Sequence, residues 1–420
     1  MKKLISLALM ATLALSVVSC GGSDSSQSDS LDSSAEDSSV QTSLEQTEAA
    51  HKETDNMFNE YFSNTVVSTG NNARINKAES VTYRAYFPVE EYGELEYCFY
   101  FSNEIDSTYS NGSPVHVGAE TGDYTIESAR IADGGTSTDD EITNYVDVTF
   151  DGSASREVSS GEQFWSDPVN FSLEEGHYLV WEWTITGSKI PATNMSDLTS
   201  TTSSDDGEEF VYCAEPALPQ LIGAKREVKL SIAAIGDSIT QGCMTDYMAY
   251  ESWAMQISQK LGEDYSFWNC GLGWARASDA AYDGDWLERV TTADVVIIAF
   301  GTNDIGSGEY GGDGGNSADE IDAYVRTLIE KCTAAGCSVV VFNSPPQDYE
   351  GDYETVRTEY NEMLESTCSE LGVYCFDFAS LLCDEDAPSV AKYGGHPNGE
   401  AGGIVSDAFI EEYSVLLGLE

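Results

Sequence analysis

Three short stretches hold side chains able to act together on an acyl group. An apolar run, Leu230 to Ile235, leads directly into Gly236-Asp237-Ser238-Ile239-Thr240, which places a hydroxyl on a tight glycine-assisted turn. A second run, Val295 to Phe300, leads into Gly301-Thr302-Asn303-Asp304 and offers a side-chain amide. Near the end of the chain, Gly394-Gly395-His396-Pro397-Asn398 precedes a helical pattern, and His396 is the only histidine after Val228. A hydroxyl is a weak nucleophile until a neighbouring base takes its proton, and an imidazole is the usual base. Ser238 and His396 therefore suggest nucleophilic acyl transfer, with Asn303 as a donor beside them.

The elements that must carry these groups change character along the chain. From Val228 onward, buried-looking runs (Leu230 to Ile235, Val295 to Phe300, Val339 to Phe342, Val373 to Phe376) alternate with helical spacings such as Trp253, Ile257, Leu261 and Val356, Tyr360, Leu364, Leu371. This alternation predicts a parallel sheet covered by helices. In such sheets active groups gather beyond the carboxyl ends of the strands, where all three motifs fall. Between Met57 and Ile222 the pattern is instead one of short alternating runs, among them Val81 to Phe87, Leu95 to Phe101, Tyr145 to Phe150 and Tyr178 to Ile185. Gly, Asn, Asp and Ser clusters separate them, which predicts an all-β sandwich or jelly roll. The polar stretch Ser196 to Gly207 reads as an exposed loop.

Taken together, Gly-Asp-Ser-Ile-Thr, Gly-Thr-Asn-Asp and Gly-His-Pro-Asn resemble, in order and separation, three of the four blocks that define the SGNH (GDSL-like) hydrolases. The resemblance covers about residues 228 to 420 and implies an α/β, flavodoxin-like, three-layer domain with esterase activity and no cofactor. The fourth block corresponds to Trp268-Asn269-Cys270-Gly271-Leu272-Gly273-Trp274, where the family's glycine role falls on Gly273; Trp274 could donate instead, and Gly271 reads as a turn former. By this resemblance Ser238 is the nucleophile and His396 its base. The oxyanion would be held by the Ser238 N–H, the Gly273 N–H and the Asn303 side chain. The family usually has Asp three residues before its His, and here that position is Tyr393. Either a Ser-His dyad oriented by a backbone carbonyl operates, or Asp384 or Asp386 serves as third triad member, and the dyad is the preferred reading.

The ends and the composition set the setting. Met1-Lys2-Lys3 followed by an apolar run to Val18 reads as an export signal, and Val17-Val18-Ser19-Cys20 resembles a bacterial lipobox with Cys20 as the lipidated residue. The implied organisation is a signal at 1–19, a disordered Ser/Asp-rich tether at 20–55, a β-sandwich accessory domain at 56–225 and the hydrolase domain at 226–420, on a cell-surface lipoprotein that meets the membrane through its lipid anchor only. Nineteen basic against 73 acidic side chains give a formal charge of -54, which disfavours nucleic acid as a partner. Beyond Cys20, nine cysteines remain, an odd number, with one or two disulfides allowed but none specified. No Cys-x-x-Cys pair occurs and the four histidines are scattered, so no metal is expected.

A sandwich ahead of an SGNH domain also resembles the two-domain carbohydrate esterases that deacetylate xylan or pectin. Ser166-Asp167-Pro168 ahead of Trp181-Glu182-Trp183 carries that likeness, and the polar, glycine-rich loop Gly301 to Ser317 suits a hydroxyl-rich substrate. The expected partner is an acetylated plant polysaccharide or oligosaccharide. The alternatives are a lipolytic or thioester-cleaving hydrolase and a non-catalytic glycan-binding lipoprotein.

Overall fold

The computed structural model describes residues 44–52, 56–108, 118, 120–194, 198–309, 311–312 and 314–419. The export signal, Cys20 and most of the expected tether lie outside the described residues. Residues 44–420 form one compact unit.

The C-terminal half is built on five parallel strands: β1 (Leu230–Gly236), β2 (Tyr265–Asn269), β3 (Val295–Ala299), β4 (Ser338–Phe342) and β5 (Tyr374–Phe376). Their spatial order is β2-β1-β3-β4-β5, the doubly wound order of flavodoxin-like sheets. The strands read as continuous apolar runs because both faces are covered. Ile232, Ala234, Ile297 and Phe342 face α2 (Trp253–Leu261) and the last helix. Ala233, Ile235, Ile298 and Val341 face the long helices Ala318–Ala334 and Asp352–Leu371. Alternate residues of one strand thus enter two different cores, giving three layers. In this order the topological switch lies between β1 and β3, the strands that precede Ser238 and Asn303.

The N-terminal part is β-rich and antiparallel. Gly93–Ser102 pairs with Leu221–Lys225, Gln163–Trp165 and Val169–Leu173. A second sheet centres on Leu179–Gly187, flanked by Ala78–Phe87 and Tyr124–Asp133. Rings from the two sheets meet, Phe99 against Trp181 at 4.6 Å and Phe101 against Trp183 at 5.4 Å between centroids. Trp181 and Trp183 are therefore core residues, 0% and 2% exposed.

Two expectations change. Within the stretch read as an exposed loop, Thr201–Ser204 is a strand paired with Ala78–Phe87, and Thr201 and Ser204 are buried. Threonine is β-branched and fits a pleated surface even in a polar run, a signal that polarity masked. Residues 44–52, placed by composition in the tether, lie on the α/β half: the Ala49 N–H donates to Leu416 O at 2.9 Å and the Lys52 N–H to Asp294 Oδ1 at 2.7 Å.

The β-rich and α/β parts share a buried polar seam. Arg289 donates to Asp106 at 2.8 Å, and Tyr100 Oη donates to Asp285 Oδ1 at 2.5 Å. Arg289 and both carboxylates are buried, and breaking such a pair by removing one partner leaves an uncompensated charge, at a cost of about 3–5 kcal/mol.

Candidate active site

Ser238 is the first residue of a one-turn helix, α1 (Ser238–Gln241), entered directly from β1. Asp237 caps that turn, its Oδ1 accepting the Ile239 N–H at 2.8 Å. Gly236 is required by close approach, since a Cβ there would lie 2.5 Å from Ala299 O and 2.1 Å from Thr240 Oγ1. The turn is thereby held against the neighbouring strand, and the half-buried Ser238 side chain stands at the sheet edge.

His396 reaches it from the far end of the chain. Its Nε2 lies 2.8 Å from Ser238 Oγ. The loop carrying it is tied on three sides: Gln347 Nε2 donates to Gly395 O at 2.7 Å, Gly394 turns with φ +89°, and Asn398 Oδ1 caps the last helix through the Ala401 N–H at 3.1 Å. Burial, and no charged neighbour, pulls the imidazole pKa below the ordinary value.

The groups considered for orienting His396 lie elsewhere. Asp384 is spent on its own turn, its Oδ1 accepting the Asp386 N–H at 2.9 Å, and Asp386 is exposed. Neither forms an ion pair with His396, and Tyr393 sits beside Lys392, with Nζ 5.2 Å from the ring centre. Among the described residues His396 Nδ1 has no hydrogen-bond partner, so the backbone carbonyl expected of a dyad is not found either.

The three groups expected to receive an oxyanion are the Asn303 amide and the Ser238 and Gly273 N–H groups. Asn303 follows β3 in a short helix, α3 (Thr302–Gly306), after Gly301 at φ +133°, where a Cβ would meet Ser344 Cβ at 2.8 Å. The buried Asn303 amide gives one hydrogen to Ala275 O at 3.0 Å and makes no other bond among the described residues. The Ser238 and Gly273 N–H groups also make none. In a protein interior such donors are ordinarily paired, and these three are left open to an acceptor.

The loop after β2 brings Gly273 there. Asn269 stitches it to α1, with Nδ2 donating to Thr240 O and Oδ1 accepting the Gly271 N–H, each at 2.9 Å. Gly271 is not the turn former the sequence suggested: its φ is not positive, and a Cβ would come within 2.4 Å of the Gln241 nitrogen, so its role is close packing. Trp274 takes the left-handed conformation instead, with φ +66°, which is costly for a bulky residue.

Two buried carboxylates underlie the donors. Burial drives Asp237 and Asp304 up to about 7 each; the Asp304 charge adds to the rise at Asp237, and that of Asp279 to the rise at Asp304. Asp304 receives the Ala277 N–H at 3.0 Å and so anchors the end of the glycine loop. Sequence reasoning missed Gln347 and this role of Asp304, because neither has a local signature.

Among the described residues no group of three or more His, Cys, Asp or Glu side chains could hold a metal ion. No helix among them is long and apolar enough to cross a membrane. None of the nine described cysteines forms a disulfide. Part of the glycine-rich loop after Asn303 folds back on α3, with Ser307 Oγ donating to Gly314 O at 2.6 Å.

Residues 234–401 match the model of the GDSL-like Lipase/Acylhydrolase family. The C-terminal half is a GDSL-like acylhydrolase domain. Among solved structures, the chain is similar to a member of the lipolytic protein G-D-S-L family from Veillonella parvula, with 20% identity over 44% of this chain and 99% of that one and a TM-score of 0.35. It is similar as well to Axe2, an acetylxylan esterase from Geobacillus stearothermophilus, with 20% identity over 44% and 94% and a TM-score of 0.36. An alpha/beta hydrolase enzyme from the metagenome of Lake Arreo gives 15% identity over 46% and 98%, with a TM-score of 0.37. No curated protein matches the chain.

Proposed function

We propose that this protein is a serine esterase that removes acetyl groups from plant polysaccharide or oligosaccharide, working through an acyl-enzyme on Ser238. The observation that carries this reading is the 2.8 Å contact between Ser238 Oγ and His396 Nε2. In the reaction Ser238 gives its proton to His396 Nε2 as its oxygen attacks the ester carbonyl. The tetrahedral oxyanion is received by the Ser238 and Gly273 N–H groups and the Asn303 amide, an electrostatic contribution of about 3–4 kcal/mol for each such donor. His396 then protonates the departing sugar oxygen, freeing the sugar hydroxyl, and a water activated by the same imidazole releases acetate.

The substrate class rests on a combination. The loop beside the site is polar and glycine-rich in sequence, unlike the apolar segments that cover a long acyl chain. We read the β-rich part as a sandwich accessory domain and the N-terminus as a lipoprotein signal with Cys20 as anchor, which puts the enzyme at the cell surface, where polymers too large to import are met. The discriminating experiment compares aryl esters of acetate and of a long fatty acid, together with acetate release from acetylated xylan. Faster acetate cleavage is expected. Each buried methylene contributes roughly 0.8 kcal/mol in an apolar channel, so a lipolytic enzyme shows the opposite trend. A preference for the long chain with no acetate released from glycan overturns the carbohydrate reading.

A further inference from the structure

The glycine loop that carries the candidate oxyanion donor is held from outside its own domain. Ser68 Oγ donates to Gly271 O at 2.7 Å, Asn72 Nδ2 to Gly273 O at 3.0 Å and Thr108 Oγ1 to Trp274 O at 2.6 Å. All three side chains come from the β-rich part and all are buried, at 0%, 1% and 0% exposure. Asn72 is itself fixed, its Oδ1 accepting the Asn194 N–H at 2.7 Å. Asn194 O in turn receives Gln241 Nε2 at 3.2 Å, so the same chain of bonds ends on the helix that begins with Ser238.

Peptide planarity turns these anchors into control over N–H direction. Fixing the Trp274 carbonyl fixes the peptide that carries the Ala275 N–H, which donates to Leu272 O at 3.1 Å. That bond orients the peptide carrying the Gly273 N–H. On the other side of Gly273, Asn72 holds the next peptide through its carbonyl. Glycine moves between conformations at little cost, and the peptides flanking Gly273 are held by Asn72 directly on one side and, through the Ala275 N–H, by Thr108 on the other.

We propose that Asn72 and Thr108, supported by Ser68, are positioning residues for the oxyanion donors, so that the β-rich part completes the active site and is not an appended module. This rests on the reading of Ser238 as nucleophile. The test measures kcat and KM for an aryl acetate with the full chain carrying Asn72→Ala, Thr108→Val or Thr108→Ser, with Ser238→Ala as control. The affinity of each for an aryl boronic acid, which forms a tetrahedral adduct on a serine, is measured alongside. Asn72→Ala and Thr108→Val are expected to lower kcat about tenfold or more, with KM within about twofold and boronate affinity falling in parallel. Thr108→Ser keeps the hydroxyl and is expected to restore most of the rate. Should Asn72→Ala fail to fold, Thr108→Val, near-isosteric with the native threonine but lacking its hydroxyl, decides when set against Thr108→Ser. The inference is overturned if folded Asn72→Ala and Thr108→Val retain wild-type kcat, or lose rate with boronate affinity unchanged, while Ser238→Ala is inactive. An active Ser238→Ala enzyme instead removes the site reading itself, and this inference with it.

Discussion

Ser238 Oγ and His396 Nε2 lie 2.8 Å apart although 158 positions separate them in the chain. Among the described residues no carboxylate pairs with the imidazole. The geometry is that of a nucleophile and its base, with the base positioned by its loop: the bond from Gln347 to Gly395 and the Asn398 cap fix the backbone on either side of it.

Neutralising Asp384 or Asp386 should therefore matter little. Asp384→Asn and Asp386→Asn are expected to lower turnover of an aryl acetate less than tenfold, against the roughly 10,000-fold loss when a triad aspartate is neutralised. Steady-state kinetics on the two variants check this. A loss of the larger size would show that the loop rearranges to bring a carboxylate to His396 Nδ1.

The pH profile follows from the same absence. His396 must be neutral to accept the serine proton, and burial holds its pKa below the 6.5 of a free imidazole. kcat/KM should be level at neutral pH and fall on the acid side with a midpoint below 6.5. A midpoint above about 7 would mean that a negative group stabilises the imidazolium.

Much of this site was legible because its residues sit in local motifs at strand ends. Ser238 and Asn303 could each be found from an apolar run, a glycine and a polar residue, His396 from its place as the only histidine after Val228, and the resemblance then pointed to Gly273. What could not be read was everything that acts across the fold. Ser68, Asn72 and Thr108 lie in ordinary polar stretches, and only the docking of the β-rich part against the glycine loop gives them carbonyls to hold. The helix Ala318–Ala334 went unread despite a capping box, Ser317 with Glu320, at its start. Thr201–Ser204 was read as loop because its strand signal is β-branching in one half-polar register, not hydrophobicity. The Asp237 environment was equally hidden, since burial of a carboxylate under a turn has no sequence signature.

That environment predicts a stability effect with a definite sign. Burial raises the folded-state pKa of Asp237 from 3.8 to about 7, so its contribution is fully present below the unfolded value and is lost as pH rises through about 7. Asp237→Asn keeps an oxygen to accept the Ile239 N–H and removes the ionisation. Its melting temperature should match that of the wild type at about pH 4 and exceed it at about pH 8. Equal melting temperatures at the higher pH would show that the carboxylate is charged at no cost.

The central claim is that Ser238 and His396 act as one unit on an ester. The direct measurement is kcat for an aryl acetate in Ser238→Ala, His396→Ala and the double variant, each checked by circular dichroism for an intact fold. The two single variants should lose activity to a similar depth, on the order of 10⁴-fold or more, and the double variant should be scarcely worse than either. Near-wild-type turnover by a well-folded single variant, or losses that multiply in the double variant, would contradict the account.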